Sequence, residues 1–171
     1  KGAIKTFKTI LEENEYPYIT IKAINNLAWT YIYMYKTNNQ VEYLDKVVEV
    51  CHEGIELFEL IEDCESKETL YNNIGTAKWY NEDYKEALKS FKTALEYLDD
   101  DPKIYNNIAS TYVRLLNDDK ADEYLHKAEV LANETSNIFE KALANRIRGE
   151  MAEAKHDYIR AVDYYVVAHD E

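Results

Sequence analysis

Glycine, proline and cysteine are scarce in this sequence. The 171 residues include four glycines, two prolines and two cysteines, too few for a chain with many tight turns or a disulfide framework. The two cysteines, Cys51 and Cys64, have no second pair of ligands with which to hold zinc, so we expect two reduced thiols. The shortage of turn-forming residues points to a helical chain.

Long apolar runs and a targeting leader are also missing. No uninterrupted apolar stretch in the sequence reaches the ~18 residues that a membrane span requires. No leader with a basic, an apolar and a small-residue part opens the chain. We therefore expect a cytoplasmic protein without a membrane partner. Because the chain starts at Lys1 inside an apolar pattern, we also expect it to be a piece of a longer protein.

Positive charge is in short supply. The 20 Lys and Arg residues face 33 Asp and Glu residues, which gives a net charge of -13. Such a surplus of negative charge repels phosphate, so direct binding to DNA, RNA or an anionic membrane is disfavoured. With 46% hydrophobic and 31% charged residues, the composition is that of a folded, water-soluble chain.

A repeated unit is the clearest pattern in the sequence. The segment YNNIGT at 71–76 recurs 34 residues later as YNNIAS at 105–110. A related copy, NNLAW, begins at Asn25, and a weaker fourth copy is marked by Gly149 and Tyr165. A fixed period of this length indicates an array of small structural units.

Each unit has the pattern of two helices joined by a turn. In the third unit, apolar residues recur at helical spacing over 105–116, stop at 117–119 and resume over 121–131. Small residues at matching places, such as Ala87 and Ala121, allow the paired helices to approach closely. Because one helix pair cannot bury its apolar faces alone, neighbouring pairs must stack.

A helix-turn-helix unit with this period resembles the tetratricopeptide repeat. The residues that carry the resemblance are Gly75, Ala87, Phe91 and Ala94 in one unit and Ala109, Tyr112, Ala121 and Ala128 in the next. The sequence departs from the family pattern at Lys78, where an aromatic residue is usual, and at Tyr71 and Tyr105, which replace the common Trp. The resemblance implies an all-α, right-handed solenoid of stacked antiparallel helix pairs, with about nine helices.

The resemblance also divides the chain, taken as a single solenoid domain over 1–171. We expect residues 1–15 to be the second helix of a repeat whose first helix lies outside the chain. The four repeats that follow are expected at 18–64, 68–101, 102–135 and 137–171.

Pairs of asparagines occupy equivalent places in three first helices, although Asn is an unfavourable residue inside a helix. By resemblance to the family, first helices line a concave groove, into which Asn26, Asn73 and Asn107 face. A carboxamide donates and accepts hydrogen bonds, so these residues would hold the backbone of an extended peptide. The alternative is that the asparagines tether the adjacent helix and bind no ligand.

The same helical stripes place charged and aromatic side chains beside the asparagines. The other expected peptide-binding residues are Lys22, Trp29, Tyr33, Trp79, Lys103, Arg114 and Arg146. The cations outnumber Glu150 and Glu153 on these stripes, so a basic strip in an acidic body would attract an acidic or carboxylate-terminated peptide. For the two Trp residues the alternative is packing between adjacent helix pairs.

Signals for catalysis and for metal binding are weak. Glu-x-x-His pairs begin at Glu49, Glu123 and Glu153, but they lie on separate repeats, too far apart to share a metal. The sequence has no Gly-rich phosphate loop and no nucleophile motif. We therefore expect no enzyme activity, no metal and no cofactor.

The sequence thus predicts a non-catalytic scaffold module that binds a protein or peptide in its concave groove. An alternative, based on the composition and the uneven helix lengths, is the sensor domain of a bacterial transcriptional regulator that responds to a signalling peptide. A third is self-association, as a homodimer through exposed terminal helices.

Overall fold

The secondary structure that the structure describes is entirely α-helical. The computed structural model describes residues 17–58 and 64–170, together with Thr9. These residues form eight helices, in chain order α1 Pro17–Asn38, α2 Glu42–Phe58, α3 Cys64–Tyr80, α4 Tyr84–Tyr97, α5 Pro102–Arg114, α6 Asp118–Glu134, α7 Ile138–Ala154 and α8 Tyr158–Asp170. The all-α class is confirmed, and the helix predicted at 1–15 lies outside the described residues. None of the eight is long and apolar enough to span a membrane.

The chain divides into two compact units, residues 1–99 and 100–171. In the first unit, α1 pairs with α2 and α3 pairs with α4, while α3 also packs on both α1 and α2. In the second unit, α5 pairs with α6 and α7 with α8, and α7 packs on both α5 and α6. The described residues of each unit therefore form two stacked helix pairs, as the repeat pattern predicts.

Aromatic contacts show that α3 and α4 run antiparallel. Tyr71, near the start of α3, stacks on Tyr97 at the end of α4, with ring centroids 5.6 Å apart. Trp79, near the end of α3, meets Tyr84 at the start of α4, with centroids 6.1 Å apart. Later residues of one helix thus contact earlier residues of the other, so the short turn between them closes a hairpin of helices.

Glycine lies where the two helices of a pair approach each other closely. A Cβ atom on Gly75 would lie 2.5 Å from Cε1 of Phe91, a buried ring on α4. Gly149 on α7 faces the ring of Tyr165 on α8 in the same way. The weak copy of the repeat at 137–171 therefore packs as the copy at 68–101 does.

Small and branched apolar residues fill the interior of each unit. The four alanines at the repeated positions are fully buried, namely Ala87, Ala94, Ala121 and Ala128. In the first unit, Cys51 is buried among aliphatic side chains as a free thiol. Burial raises the pKa of this thiol well above its ordinary range, which disfavours the reactive thiolate. The side chain of Cys64 lies outside the described residues.

Polar caps set where the later helices begin. Asp101 precedes Pro102, which suits the first helical position, and accepts a hydrogen bond of 2.9 Å from the backbone N–H of Lys103. Asn117 and Asn137 accept equivalent bonds at the starts of α6 and α7. Short polar side chains in the turns therefore satisfy amide groups that the helix itself leaves unpaired.

Candidate functional site

The exposed face of α1 carries most of the residues expected to bind a peptide in the first unit. Lys22, Asn26, Trp29 and Tyr33 are all exposed, and they follow one another at helical spacing. Trp29 and Tyr33 expose 45% and 70% of their surface. We call these four residues, with Ile19, the α1 strip. Because the opposite face of α1 is buried, this strip has a fixed orientation in the unit.

Asn73 lies inside the first unit and does not reach solvent. Its Nδ2 donates to Oδ1 of Asn25 across the contact between α3 and α1, at 3.4 Å. Its own Oδ1 is buried and has no hydrogen-bond partner among the residues that the structure describes. The predicted direct contact from Asn73 to a ligand does not fit this placement, since the neighbouring helix encloses the amide. The alternative interpretation, a tether between helices, describes Asn73.

Asn106 in the second unit is an even clearer tether, and sequence reasoning did not single it out. Its Nδ2 donates to the backbone carbonyl of Glu140 at 2.9 Å and to the Glu140 carboxylate at 2.8 Å. The amide is fully buried, and it links α5 to the start of α7. The adjacent Asn107 is half-buried and stays a candidate ligand residue.

Glu140 is a partly buried carboxylate at the beginning of α7. Its backbone N–H donates to Oδ1 of Asn137, the residue that caps the helix. Burial raises the pKa of Glu140, while the hydrogen bond from Asn106 acts in the opposite direction and lowers it. A signal for this contact existed in the sequence, because Glu140 follows Asn106 by one repeat length.

The predicted cations of the second unit have acidic neighbours. Arg146 pairs with Glu150 one turn later at 2.6 Å, and Lys103 pairs with Asp101 at 3.5 Å. Arg114 lines an open concavity of about 470 Å³ whose walls include two glutamates. The residues that line it are Val113, Arg114, Leu116, Glu150, Glu153 and Ala154. The expected positive charge is therefore largely balanced within this unit.

Trp79 is held by aromatic neighbours near the end of α3. It makes an edge contact with Tyr80, with centroids 5.2 Å apart and ring planes at 89°. It also makes an edge contact with Tyr84 of α4. Trp79 is half-buried in this cluster within the α3–α4 pair, and Trp29 is exposed; a part for either residue in peptide binding stays a prediction.

Residues able to hold a metal are not brought together in the described part of the chain. Within that part, no three His, Cys, Asp or Glu side chains form a group that could bind a metal ion. Glu123, which begins one of the Glu-x-x-His pairs, bonds instead to the exposed Lys127 at 2.9 Å. That pair belongs to the outward face of α6 and not to a site.

The fold is similar to that of several solved structures, including two of MamA. The first, titled "Crystal structure of MamA", matches with a TM-score of 0.67 and 18% identity, over 98% of this chain and 85% of that chain. The second, titled "Crystal structure of MamA protein", matches with a TM-score of 0.65 and 20% identity, over 99% and 80%. Identities this low establish a shared fold and no more. A comparison with curated proteins finds no match.

Family models identify the repeats directly. Residues 20–53 match one model described as tetratricopeptide repeat, and residues 68–97 and 102–133 match a second model with the same description. These segments cover more than half of the chain and correspond to the first three of the helix pairs described above. The chain belongs to the tetratricopeptide repeat family.

Proposed function

We propose that this protein is a non-catalytic scaffold that binds a segment of a partner protein on the exposed faces of its first helices. The observation that carries the proposal is the α1 strip, where Trp29 and Tyr33 stand exposed beside an amide and a cation. Large aromatic residues that lie open on a rigid element are the usual anchors of protein interfaces. The tetratricopeptide family and the two-pair architecture of each unit support the same class of function.

Each residue of the α1 strip has a distinct part in this proposal. Trp29 and Tyr33 supply apolar contact area, and each anchor contributes about 2 kcal/mol or more where it becomes fully desolvated. Asn26 is exposed and offers a donor and an acceptor to the backbone of an extended peptide. Lys22 adds positive charge at one end of the strip.

An acidic or carboxylate-terminated segment suits this face best. Lys36 lies one turn beyond Tyr33, with its Nζ 5.1 Å from the centre of the Tyr80 ring, so cations flank both ends of the aromatic pair. The protein as a whole is strongly acidic, with a net charge of -13, and it would repel such a segment elsewhere. The second unit adds Asn107 and Arg114 as a separate, smaller candidate face.

The proposal is tested by selecting peptides against the full chain from a random library displayed on phage. Enriched peptides are then synthesised with a fluorophore, and their affinities are measured by anisotropy for the parent and for Trp29→Ala and Tyr33→Ala. We expect each variant to weaken binding at least tenfold, because each removes an anchor. Lys89→Ala, on the exposed face of α4, is the matched control and should bind as the parent does.

Charge preference provides the second readout. The enriched peptides should be richer in Asp and Glu than the library, and added salt should weaken their binding. If no peptide is enriched, or if Trp29→Ala binds the enriched peptides as tightly as the parent, the α1 strip is not the binding face. Enrichment of Lys and Arg in the selected peptides would contradict the proposed acidic character of the partner, but it would not contradict the α1 strip as the binding face.

A further inference from the structure

The outward face of the last helix, α8, is unusual in being apolar. Ile159, Val166 and Val167 expose 80%, 51% and 46% of their surface. They lie on one side of α8 together with Asp163 and Asp170, opposite the buried Ala161. We call these five exposed residues the α8 outer face.

The repeat register shows what occupies this face in the other second helices. Ala87, Ala121 and Ala161 are the equivalent buried residues of α4, α6 and α8. Counting from them, the positions of Ile159, Val166 and Val167 correspond to Asp119, His126 and Lys127 in α6 and to Lys85, Lys92 and Thr93 in α4. The same face is therefore polar in α4 and α6 and apolar in α8.

Stacking of a further helix pair would not cover the α8 outer face. In the second unit, α7 packs on the side of α6 that carries Asp118 and Glu129, which bond to Lys155 at 2.7 Å and to Arg148 at 3.0 Å. The outward residues of α6, such as Lys127, stay exposed in that contact. On α8, the side equivalent to Asp118 and Glu129 carries Tyr158 and His169, a different side from Ile159.

The charges within the α8 outer face indicate which kind of partner could cover it: a second copy of the chain, a lipid surface or another protein. Asp163 lies between the apolar residues, and Arg160 beside it already pairs with Asp157 at 3.4 Å. Joining two α8 outer faces would bring Asp163 of one copy close to acidic groups of the other, which is unfavourable. An anionic lipid surface would be repelled for the same reason.

We propose that the α8 outer face docks an amphipathic helix of a partner protein, one that carries Lys or Arg beside its apolar stripe. Ile159 and Val166 are seven residues apart, about 10 Å along the axis, so they match apolar side chains two turns apart on an opposing helix. Lysines beside that stripe would meet Asp163 and Asp170. This face is separate from the α1 strip, and the two proposals stand or fall independently.

The test uses three labelled synthetic peptides of about 18 residues, long enough to form helix. The first carries a leucine stripe flanked by lysines, the second replaces the lysines with glutamates, and the third replaces the leucines with serines. Binding to the full chain is measured by anisotropy, and hydrogen exchange locates the contact. We expect only the first peptide to bind, with slower exchange in 158–170 and unchanged exchange in 118–134.

The variant Ile159→Asp with Val167→Lys places the α6 residues on α8 and leaves the net charge unchanged. We expect at least a tenfold loss of affinity for the first peptide, with the same thermal unfolding as the parent because α6 tolerates these residues. The matched control is Asp119→Asn with Lys127→Gln on α6, which should bind as the parent does.

Three results would overturn the proposal. Equal affinity of the parent and the α8 variant would show that the peptide binds elsewhere. A parent dimer in sedimentation that the α8 variant abolishes, without peptide binding, would assign the face to a second copy. Flotation of the parent with phosphatidylcholine and phosphatidylserine vesicles, lost in the variant, would assign it to a membrane surface.

Discussion

The amide of Asn106 should contribute more to stability than the exposed Asn26. The change Asn106→Ala removes two hydrogen bonds to Glu140, at 2.9 and 2.8 Å, from a fully buried position. The bond to the carbonyl contributes about 1 kcal/mol and the bond to the carboxylate about 1.5–3 kcal/mol. We therefore expect the free energy of unfolding of the second unit to fall by about 3 kcal/mol.

The same variant should show a defined pH dependence. Burial raises the pKa of Glu140 above its ordinary value of 4.5, and the bond from Asn106 lowers it. A carboxyl group with a raised folded pKa destabilises the protein as the pH rises through the interval between its unfolded and folded values. Loss of the Asn106 bond raises the folded pKa further, so Asn106→Ala should lose more stability at about pH 8 than near pH 4.5, the ordinary pKa of the group.

Urea unfolding followed by far-UV circular dichroism measures both effects. Asn26→Ala is the control, and we expect its free energy of unfolding to stay within about 0.5 kcal/mol of the parent value because its side chain is exposed. At about pH 8, Asn106→Asp should lower the free energy of unfolding more than Asn106→Ala does, since it places a second carboxylate against that of Glu140. If Asn106→Ala and Asn26→Ala unfold at the same urea concentration, the tether contributes nothing.

Two further predictions concern glycine. Gly75→Ala forces its Cβ against the buried Phe91 and should destabilise, because overpacking costs about 1–3 kcal/mol and better helix propensity returns about 1 kcal/mol. In Gly149→Ala the new Cβ meets the half-buried Tyr165, whose ring can turn aside. We therefore expect the melting temperature of this variant to stay near the parent value. Equal losses of stability in Gly75→Ala and Gly149→Ala would contradict the packing argument. Leu116 has a φ of 56° and exposes 89% of its surface, so Leu116→Gly should raise the melting temperature by about 2–4 °C. A lower melting temperature would refute the idea that this turn is strained.

Most of the helical architecture could be predicted from sequence because it depends on local spacing. The turn predicted at 117–119 lies two residues earlier, at 115–117 between α5 and α6, while the pairing of Gly75 with Phe91 follows from the fixed period and from the volumes of the side chains. The faces of neighbouring asparagines could not be predicted in this way. Asn25 and Asn26 are 100° apart on a helix, and periodicity alone does not decide which of them meets the next helix.

The depth of burial at equivalent positions also depends on the neighbours of each helix. Asn26 and Asn73 occupy the same place in their repeats, yet only Asn73 is enclosed, where it contacts Asn25. The apolar residues of the α8 outer face were visible in the sequence, but their meaning depends on alignment with the polar face of α6. The regulator alternative stays a prediction, because tetratricopeptide repeats do not distinguish a sensor domain from a scaffold.

The bond from Asn106 to Glu140 has a consequence for the order of units in the array. Packing contacts made by alanine side chains exclude a neighbouring repeat only by its size, so many different repeats could follow them. An amide that requires a carboxylate and a carbonyl at the start of the next first helix discriminates by chemistry. A repeat without an acid at this position would keep the bond to the backbone carbonyl and lose the stronger bond to the carboxylate, so the stability of this contact depends on which repeat follows.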